Sequence, residues 1–279
     1  MDNILLSIIV PCYNHGKYIK ETLQSIKECK AVCCSYEVII INDGSTDEYT
    51  KQVLNEISGP ELIVLHQHNQ GLGAARNNGI SVAKGKYILP LDSDNLVFAP
   101  YLSTAIKILE KDEAIAVVYG DADYFGEKTG VWHVGEYNLQ KLMLGNYIDA
   151  CAVYRRQVWQ KTGGYATNMP FMGFEDWDFW LKLSFAGEKF YYLKEVSFGY
   201  RVLNQSMLQA LNSQKSTQLK EYLSQKYTSY LSISHINTFF VKSFSQNKKL
   251  FFKLFLAVFF PKYLNRLYQK GRIKNKGIL

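Results

Sequence analysis

The chain has no Cys-x-x-Cys pair among its five cysteines, Cys12, Cys29, Cys33, Cys34 and Cys151. That excludes a zinc ribbon and gives no disulfide framework, and it fits a reducing compartment. No basic segment opens the chain. Its first apolar run, Ile4 to Val10, is short, which suits a first strand and not a signal peptide. No acidic residue follows Glu221, whereas Tyr222 to Leu279 holds eleven Lys and Arg. Residues 1–221 therefore carry −4 within a chain of formal charge +7. A basic tail on an acidic body is expected to meet an anionic surface. No apolar run is long enough to cross a bilayer. The apolar run Leu250–Phe260, followed by Pro261, spans about 16 Å as a helix, against a hydrocarbon core of about 30 Å. No internal repeat or low-complexity linker interrupts the chain.

What is present suits a packed core. Of 279 residues, 47% are hydrophobic and 14% aromatic, which is one large domain, or one domain plus an appendage, and not a disordered chain. Residues 1–120 alternate strand and helix patterns. Strands are expected at Leu5–Pro11, Tyr36–Ile41, Leu62–His66, Lys86–Leu91 and Ile115–Tyr119. Helices are expected at Lys17–Lys30, Asp47–Ile57 (with Ser45 or Thr46 as cap), Leu72–Ala83 and Pro100–Lys111. Continuous apolar strands between helices mean a mostly parallel sheet covered on both faces, an α/β fold. Ligands of such sheets bind beyond the carboxyl ends of the strands. The polar segments Cys12–Gly16, Asn42–Asp47 and Asp92–Asn95 leave those ends, so they are expected on one rim.

Residues 121–202 are less regular. A hairpin is expected around Gly126–Gly130, a helix near Asn138–Leu144 and a strand near Ala150–Tyr154. A helix over Glu175–Phe185 and strands at Lys189–Leu193 and Ser197–Val202 follow, the whole packing on the sheet edge. Residues 203–279 form a basic, mainly helical, separable tail.

Asp92-Ser93-Asp94 follows an apolar strand. Two carboxylates so close repel unless a cation or polar ligand lies between them. Mg²⁺ is usually held by one or two carboxylates plus substrate phosphates. Asp and Ser are also common in solvated turns, so the company of the pair decides. Pro11-Cys-Tyr13-Asn14 ends the first strand, and a ring on a rim can stack on a base. Asn42-Asp43-Gly-Ser-Thr-Asp47 ends the second, with Asp43 placed to accept from a base or ribose. Asn69-Gln-Gly-Leu-Gly-Ala-Ala-Arg-Asn77 opens a helix whose small residues allow close approach to the sheet. Arg76 is expected to reach over the rim. Met172-Gly-Phe-Glu-Asp-Trp-Asp-Phe-Trp180 puts Glu175 and Asp176 in a first turn, where the helix dipole favours anions.

Taken in order with Gly163-Gly-Tyr165, these segments resemble family 2 glycosyltransferases, inverting nucleotide-sugar enzymes of the GT-A fold, over roughly residues 5–202. The resemblance implies donor binding by Pro11, Tyr13, Asn14, Asp43, Arg76, Asp92, Ser93 and Asp94. Asp94 would hold Mn²⁺ or Mg²⁺ on the diphosphate and Asp176 would be the catalytic base. Glu175, Trp177 and Trp180 would lie on the acceptor side, the two tryptophans flooring an acceptor sugar. Two departures stand out. Many members have Asp where Asn42 stands, and Tyr200-Arg201 only loosely matches the family's final basic motif. The implied reaction moves a sugar, UDP-linked, to a hydroxyl of a glycan or glycoconjugate.

A nucleotidyltransferase shares the doubly wound sheet, but it calls for a Gly-rich basic loop after the first strand, and Cys12-Tyr-Asn-His-Gly-Lys17 matches poorly. A nucleic-acid-binding protein would not confine its positive charge to the tail. Residues 247–279 suit either the cytoplasmic face of a membrane, with Lys248, Lys249, Lys253, Lys262 and Arg266 at headgroups, or a contact with the domain or another subunit.

Overall fold

The structure, a computed structural model, describes residues 4–29, 34–204 and 213–231, with the isolated positions 252, 256, 263, 266 and 267. Strands β1 (Leu6–Cys12), β2 (Tyr36–Asp43), β3 (Leu62–Gln67) and β4 (Tyr87–Pro90) alternate with helices α1 (Gly16–Glu28), α2 (Glu48–Glu56) and α3 (Leu72–Val82). Next come β5 (Leu96–Val97), α4 (Ala99–Lys111), β6 (Ile115–Gly126), β7 (Gly130–Trp132), α5 (Leu139–Leu144) and β8 (Val153–Arg155). Helices α6 (Arg156–Thr162) and α7 (Glu175–Phe185), strand β9 (Lys189–Val202) and helix α8 (Ser213–Lys226) follow.

One sheet runs in the order β3-β2-β1-β4-β8-β6-β9-β5, with β7 beside β6. β3, β2, β1 and β4 are parallel neighbours. Every residue of β1 is buried because both faces are covered. Successive side chains point to opposite faces. Ile9, Ile39 and Ile41 join the core on one face, and Ile8, Val10, Val38 and Ile40 join the core on the other.

The second half extends the sheet; it does not merely pack on its edge. β8 enters antiparallel between β4 and β6, and β9 pairs parallel with β6. The strand expected near Ala150–Tyr154 is β8, but its place in the sheet could not be foreseen, because pairing with β4 spans about seventy positions of chain and leaves no local pattern. The two strands expected at 189–202 are one, β9, with register shifts against β6 near Asp121. Asp47, not Ser45 or Thr46, caps α2 by accepting from the Thr50 N–H at 2.8 Å. Ser45 Oγ instead accepts from the Asn14 N–H at 3.1 Å.

The described start of the tail is not separate from the body. Leu219 and Leu223 of α8, with Tyr227, are buried in the core cluster that holds α7. Membrane or subunit contact through 247–279 falls outside the continuously described residues. Among the described residues, no helix is long and apolar enough to cross a membrane.

Candidate active site

The carboxyl ends of β1, β2 and β4 meet α7 and the end of β9 around a cavity of about 430 Å³. Pro11, Tyr13, Asp43, Arg76, Asp92, Ser93, Asp94, Glu175 and Asp176 all line it. The rim is built from side chains that tie one strand end to another. Asn14 sits at a φ of 56°. Its Oδ1 accepts from the N–H groups of Thr46 and Asp47 at 2.8 and 3.0 Å. Asn14 therefore straps the β1 end to the β2 end and is absent from the cavity lining, contrary to the donor contact expected of it. Asn42 Oδ1 accepts from the Ser45 N–H at 2.9 Å and so shapes the same turn.

Asp43 holds the loop into α3. Its carboxylate accepts from Gln67 Nε2, the Gln70 N–H and the Gly71 N–H at 2.7, 2.8 and 2.9 Å. A carboxylate offers about four acceptor positions, so one is left toward the cavity. Tyr13 is 45% exposed, which leaves its ring available at the mouth.

Arg76 does not reach out over the rim. It is 1% exposed, with Nη1 donating to Glu175 Oε1 and Nη2 to Asp92 Oδ1, both at 2.8 Å. Burial alone would lower its pKa, but Asp92 and Glu175 outweigh that and raise it. Its Nε is buried without a partner among the described residues. Glu175 has both oxygens engaged, the second by the Gly173 N–H at 2.8 Å, so it is an internal brace and not an acceptor contact. The small residues Gly73, Ala75 and Gly79 are buried on α3, as expected for a helix laid close on the sheet.

Trp177 and Trp180, expected on the acceptor side, do not line the cavity. They are 4% and 0% exposed, and their indole N–H groups donate to the carbonyls of Leu142 and Ile148 at 2.6 and 3.0 Å. Their spacing on α7 turns them away from the cavity into one core cluster, Trp180 against Tyr154 and Phe179 and Trp177 against Phe174. They cannot floor a sugar.

Asp94 and Asp176 differ from these bracing acids. Burial, then the charge of Asp92, pushes the Asp94 pKa up to about 7. Its ion-pair neighbour among the described residues is His15 Nδ1, 4.0 Å from Oδ2. Burial lowers the pKa of that histidine. Arg201 lies close by but gives its Nε–H to the Asp94 carbonyl at 2.8 Å. A buried carboxylate with so little compensation suits a hard cation that takes few protein ligands. Among the described residues no group of three or more His, Cys, Asp or Glu forms a cage, so such a cation would take its remaining ligands from phosphate and water. Asp176 Oδ2 accepts from Asn146 Nδ2 and Oδ1 from the Trp177 N–H, both at 2.7 Å. Burial, then Glu175, holds its pKa well above the carboxylate range.

Among the lining residues that the sequence-derived site did not include are His15 and Asp149, and Tyr200 and Arg201, which match the family's final basic motif only loosely, line the cavity as well. Asp149 immediately precedes the β8 region. Had β8 been recognised as antiparallel to β4, an acid just before it would have fallen on the same rim.

A covered, mostly parallel sheet, with an Asp-x-Asp turn and a helix-borne acid facing one rim cavity, defines the GT-A class. Residues 7–166 match the family model described as Glycosyl transferase family 2, and the chain belongs to that family. It is 31% identical over 219 residues to a chondroitin synthase of Pasteurella multocida strain Pm70, covering 76% of this chain and 22% of that one. It is 32% identical over 206 residues to a Pasteurella multocida hyaluronan synthase, covering 72% and 20%. The chain thus spans about a fifth of the length of these two relatives. Its fold resembles S. aureus TarS residues 1–349 in complex with UDP-GlcNAc. That likeness has a TM-score of 0.62 at 20% identity and covers 95% of this chain and 84% of that one.

Proposed function

We propose that this chain transfers a sugar, with inversion, from a UDP-sugar to a hydroxyl of an acceptor glycan or glycoconjugate, aided by a divalent cation at Asp94. The observation that carries this reading is that Asp92, Asp94 and Asp176, from two distant segments, line one cavity. The UDP-GlcNAc held by the S. aureus TarS structure favours a UDP-sugar donor, and the names of the two Pasteurella relatives, a chondroitin synthase and a hyaluronan synthase, favour a glycan product.

In this reading the base lies against Tyr13, with Asp43 accepting from its ring N–H. Asp92 keeps one oxygen for ribose or donor sugar, since Arg76 engages the other. Mn²⁺ or Mg²⁺ held by Asp94 would supply Lewis-acid stabilisation of the charge gathering on the leaving diphosphate. Asp176 takes the proton of the acceptor hydroxyl as its oxygen attacks the anomeric carbon from the opposite face. The new C–O bond forms as the bond to the diphosphate breaks and its electron pair leaves with phosphate. An α-linked donor therefore gives a β-linked product through an oxocarbenium-like transition state. The raised pKa of Asp176 makes it a stronger proton acceptor than a solvated carboxylate.

Asp176→Asn should lose transfer by about 10²–10⁴-fold, the usual contribution of a general base, while UDP binding survives. Asp94→Ala should lose Mn²⁺-dependent UDP binding. Near-full transfer by the first variant, or unchanged Mn²⁺-dependent UDP affinity in the second, would contradict the assignment. UDP release and calorimetric titration read both.

A further inference from the structure

We propose that Asp149 selects the transferred sugar, its carboxylate accepting hydrogen bonds from hydroxyls of the donor hexose. This rests on the UDP-sugar reading above.

The placement follows from strand direction. β8 pairs antiparallel with β4, Tyr87 opposite Arg155 and Ile88 opposite Tyr154. The residues that precede β8 therefore travel to the rim where β4 delivers Asp92 and Asp94, and Asp149 and Ala150 line the cavity there. The same loop begins at the proposed base. Asn146 Nδ2 donates to Asp176 at 2.7 Å, and its Oδ1 accepts from the Ile148 N–H at 3.3 Å. The Ile148 carbonyl accepts from Trp180 Nε1 at 3.0 Å, which pins the loop to α7. Asp149 is thus set on a wall running from Asp176 toward the end of β4.

That wall borders the space a donor sugar must occupy. In-line displacement puts the anomeric carbon between the leaving diphosphate, at Asp94, and the attacking hydroxyl, at Asp176. Asp149 feels the charges of Asp92 and Asp94, and Asp176 feels that of Asp149.

The side chain is prepared for such a ligand. Asp149 Oδ1 accepts from the Cys151 N–H at 2.8 Å, which fixes its rotamer. Among the described residues Oδ2 accepts no hydrogen bond. It forms no ion pair there either, although Arg76 moderates its charge from a distance. A half-buried carboxylate with an idle oxygen beside other acids is costly. Sugar hydroxyls would supply the missing donors through charge-assisted bonds. A site built to bond a hydroxyl rejects analogues that lack it.

The test compares wild type, Asp149→Ala and Asp149→Asn in Mn²⁺, titrated with UDP, UDP-GlcNAc, UDP-glucose and UDP-galactose. Asp149→Asn keeps an oxygen for the Cys151 N–H, so folding is preserved, and melting curves check both variants. Both should bind UDP as wild type does. Affinity for the preferred UDP-sugar should fall by about 10- to 100-fold, the range for a hydrogen bond to a charged group. Discrimination among the three sugars should shrink. The loss should vanish for a donor deoxygenated at the recognised hydroxyl. Wild-type sugar affinity and discrimination in both variants would overturn the proposal. So would a fall in turnover at unchanged donor affinity, which would move Asp149 to the acceptor side. Failure of wild type to bind UDP at all would remove the donor reading itself, a result distinct from either.

Discussion

Arg76 shows how much one buried side chain can organise. Its forked guanidinium joins Asp92, sixteen residues on, to Glu175, ninety-nine residues on. It thereby locks the β4 end to the start of the helix that carries Asp176. Removing one partner of a buried ion pair strands the others, at a cost of about 3–5 kcal/mol. Arg76→Met should lose stability on that scale in denaturant melts. Arg76→Lys should rescue little, because an ammonium cannot fork between two carboxylates. Stability within about 0.5 kcal/mol of wild type in Arg76→Met, the range of an ordinary surface change, would refute the brace. The sequence makes Arg76 visible as a rim residue, since it opens a glycine-rich helix. Its inward turn was invisible there, because it depends on Glu175, a partner known only once the chain has folded. Trp177 and Trp180 were misplaced for a related reason. An aromatic-rich helix start fits a sugar platform and a core stripe equally well until the helix has a rotation.

Among the elements, α3 and α7 bear most directly on the site. A Cβ on Gly79 would stand 2.5 Å from Ile41 Cδ1 and 2.8 Å from Ile9 Cγ2. Gly79→Ala should therefore lift α3 from β1 and β2 and cost about 1–3 kcal/mol, the usual range for overpacking. A gain in stability, as for a free helix glycine, would mean that the helix is not seated this closely. α7 is held from behind by the start of the tail. Asp178, 0% exposed, accepts from Lys226 Nζ at 2.7 Å and from Tyr227 Oη–H at 2.8 Å. Tyr227→Phe removes one donor from a buried carboxylate whose Oδ2 has no partner among the described residues. It should cost about 1–3 kcal/mol. A melting temperature equal to wild type would show that α8 does not brace α7. The helix of the tail was expected, but its docking was not, because an acid on α7 and a basic–aromatic pair fifty residues later share no sequence pattern.

At the scale of the molecule, the site stores uncompensated acidity. Asp94 and Asp149 are each pushed up to about 7 by burial and then by Asp92, whereas an unfolded Asp titrates near 3.9. Between about pH 4 and 7 the native state therefore holds protons that the unfolded chain has released, and stability falls as pH rises. The cost is absent below about pH 4 and complete above about pH 7. Metal-free protein should melt at a lower temperature at pH 7.5 than at pH 5.5. Asp149→Asn should flatten that difference, and Mn²⁺ with UDP should raise the pH 7.5 value by mass action. A melting temperature that rises across this window in the absence of metal would exclude the strained-acid account.

The parallel strands and the helices between them could be read from local pattern, because period and turn residues act within a few positions, whereas the rim acids Asp92, Asp94 and Asp176 were legible only through the ordered set of motifs that resembles the family. Folding was needed to decide which polar groups face the cavity and which are consumed as braces. Asn14 was consumed as a strap between strand ends, Arg76 and Glu175 as a brace beneath the cavity they line, and the two tryptophans as core, whereas Asp149 came to the rim through an antiparallel strand. Burial and pairing are properties of contacts between distant segments, and a linear chain holds none of them until its sheet has formed.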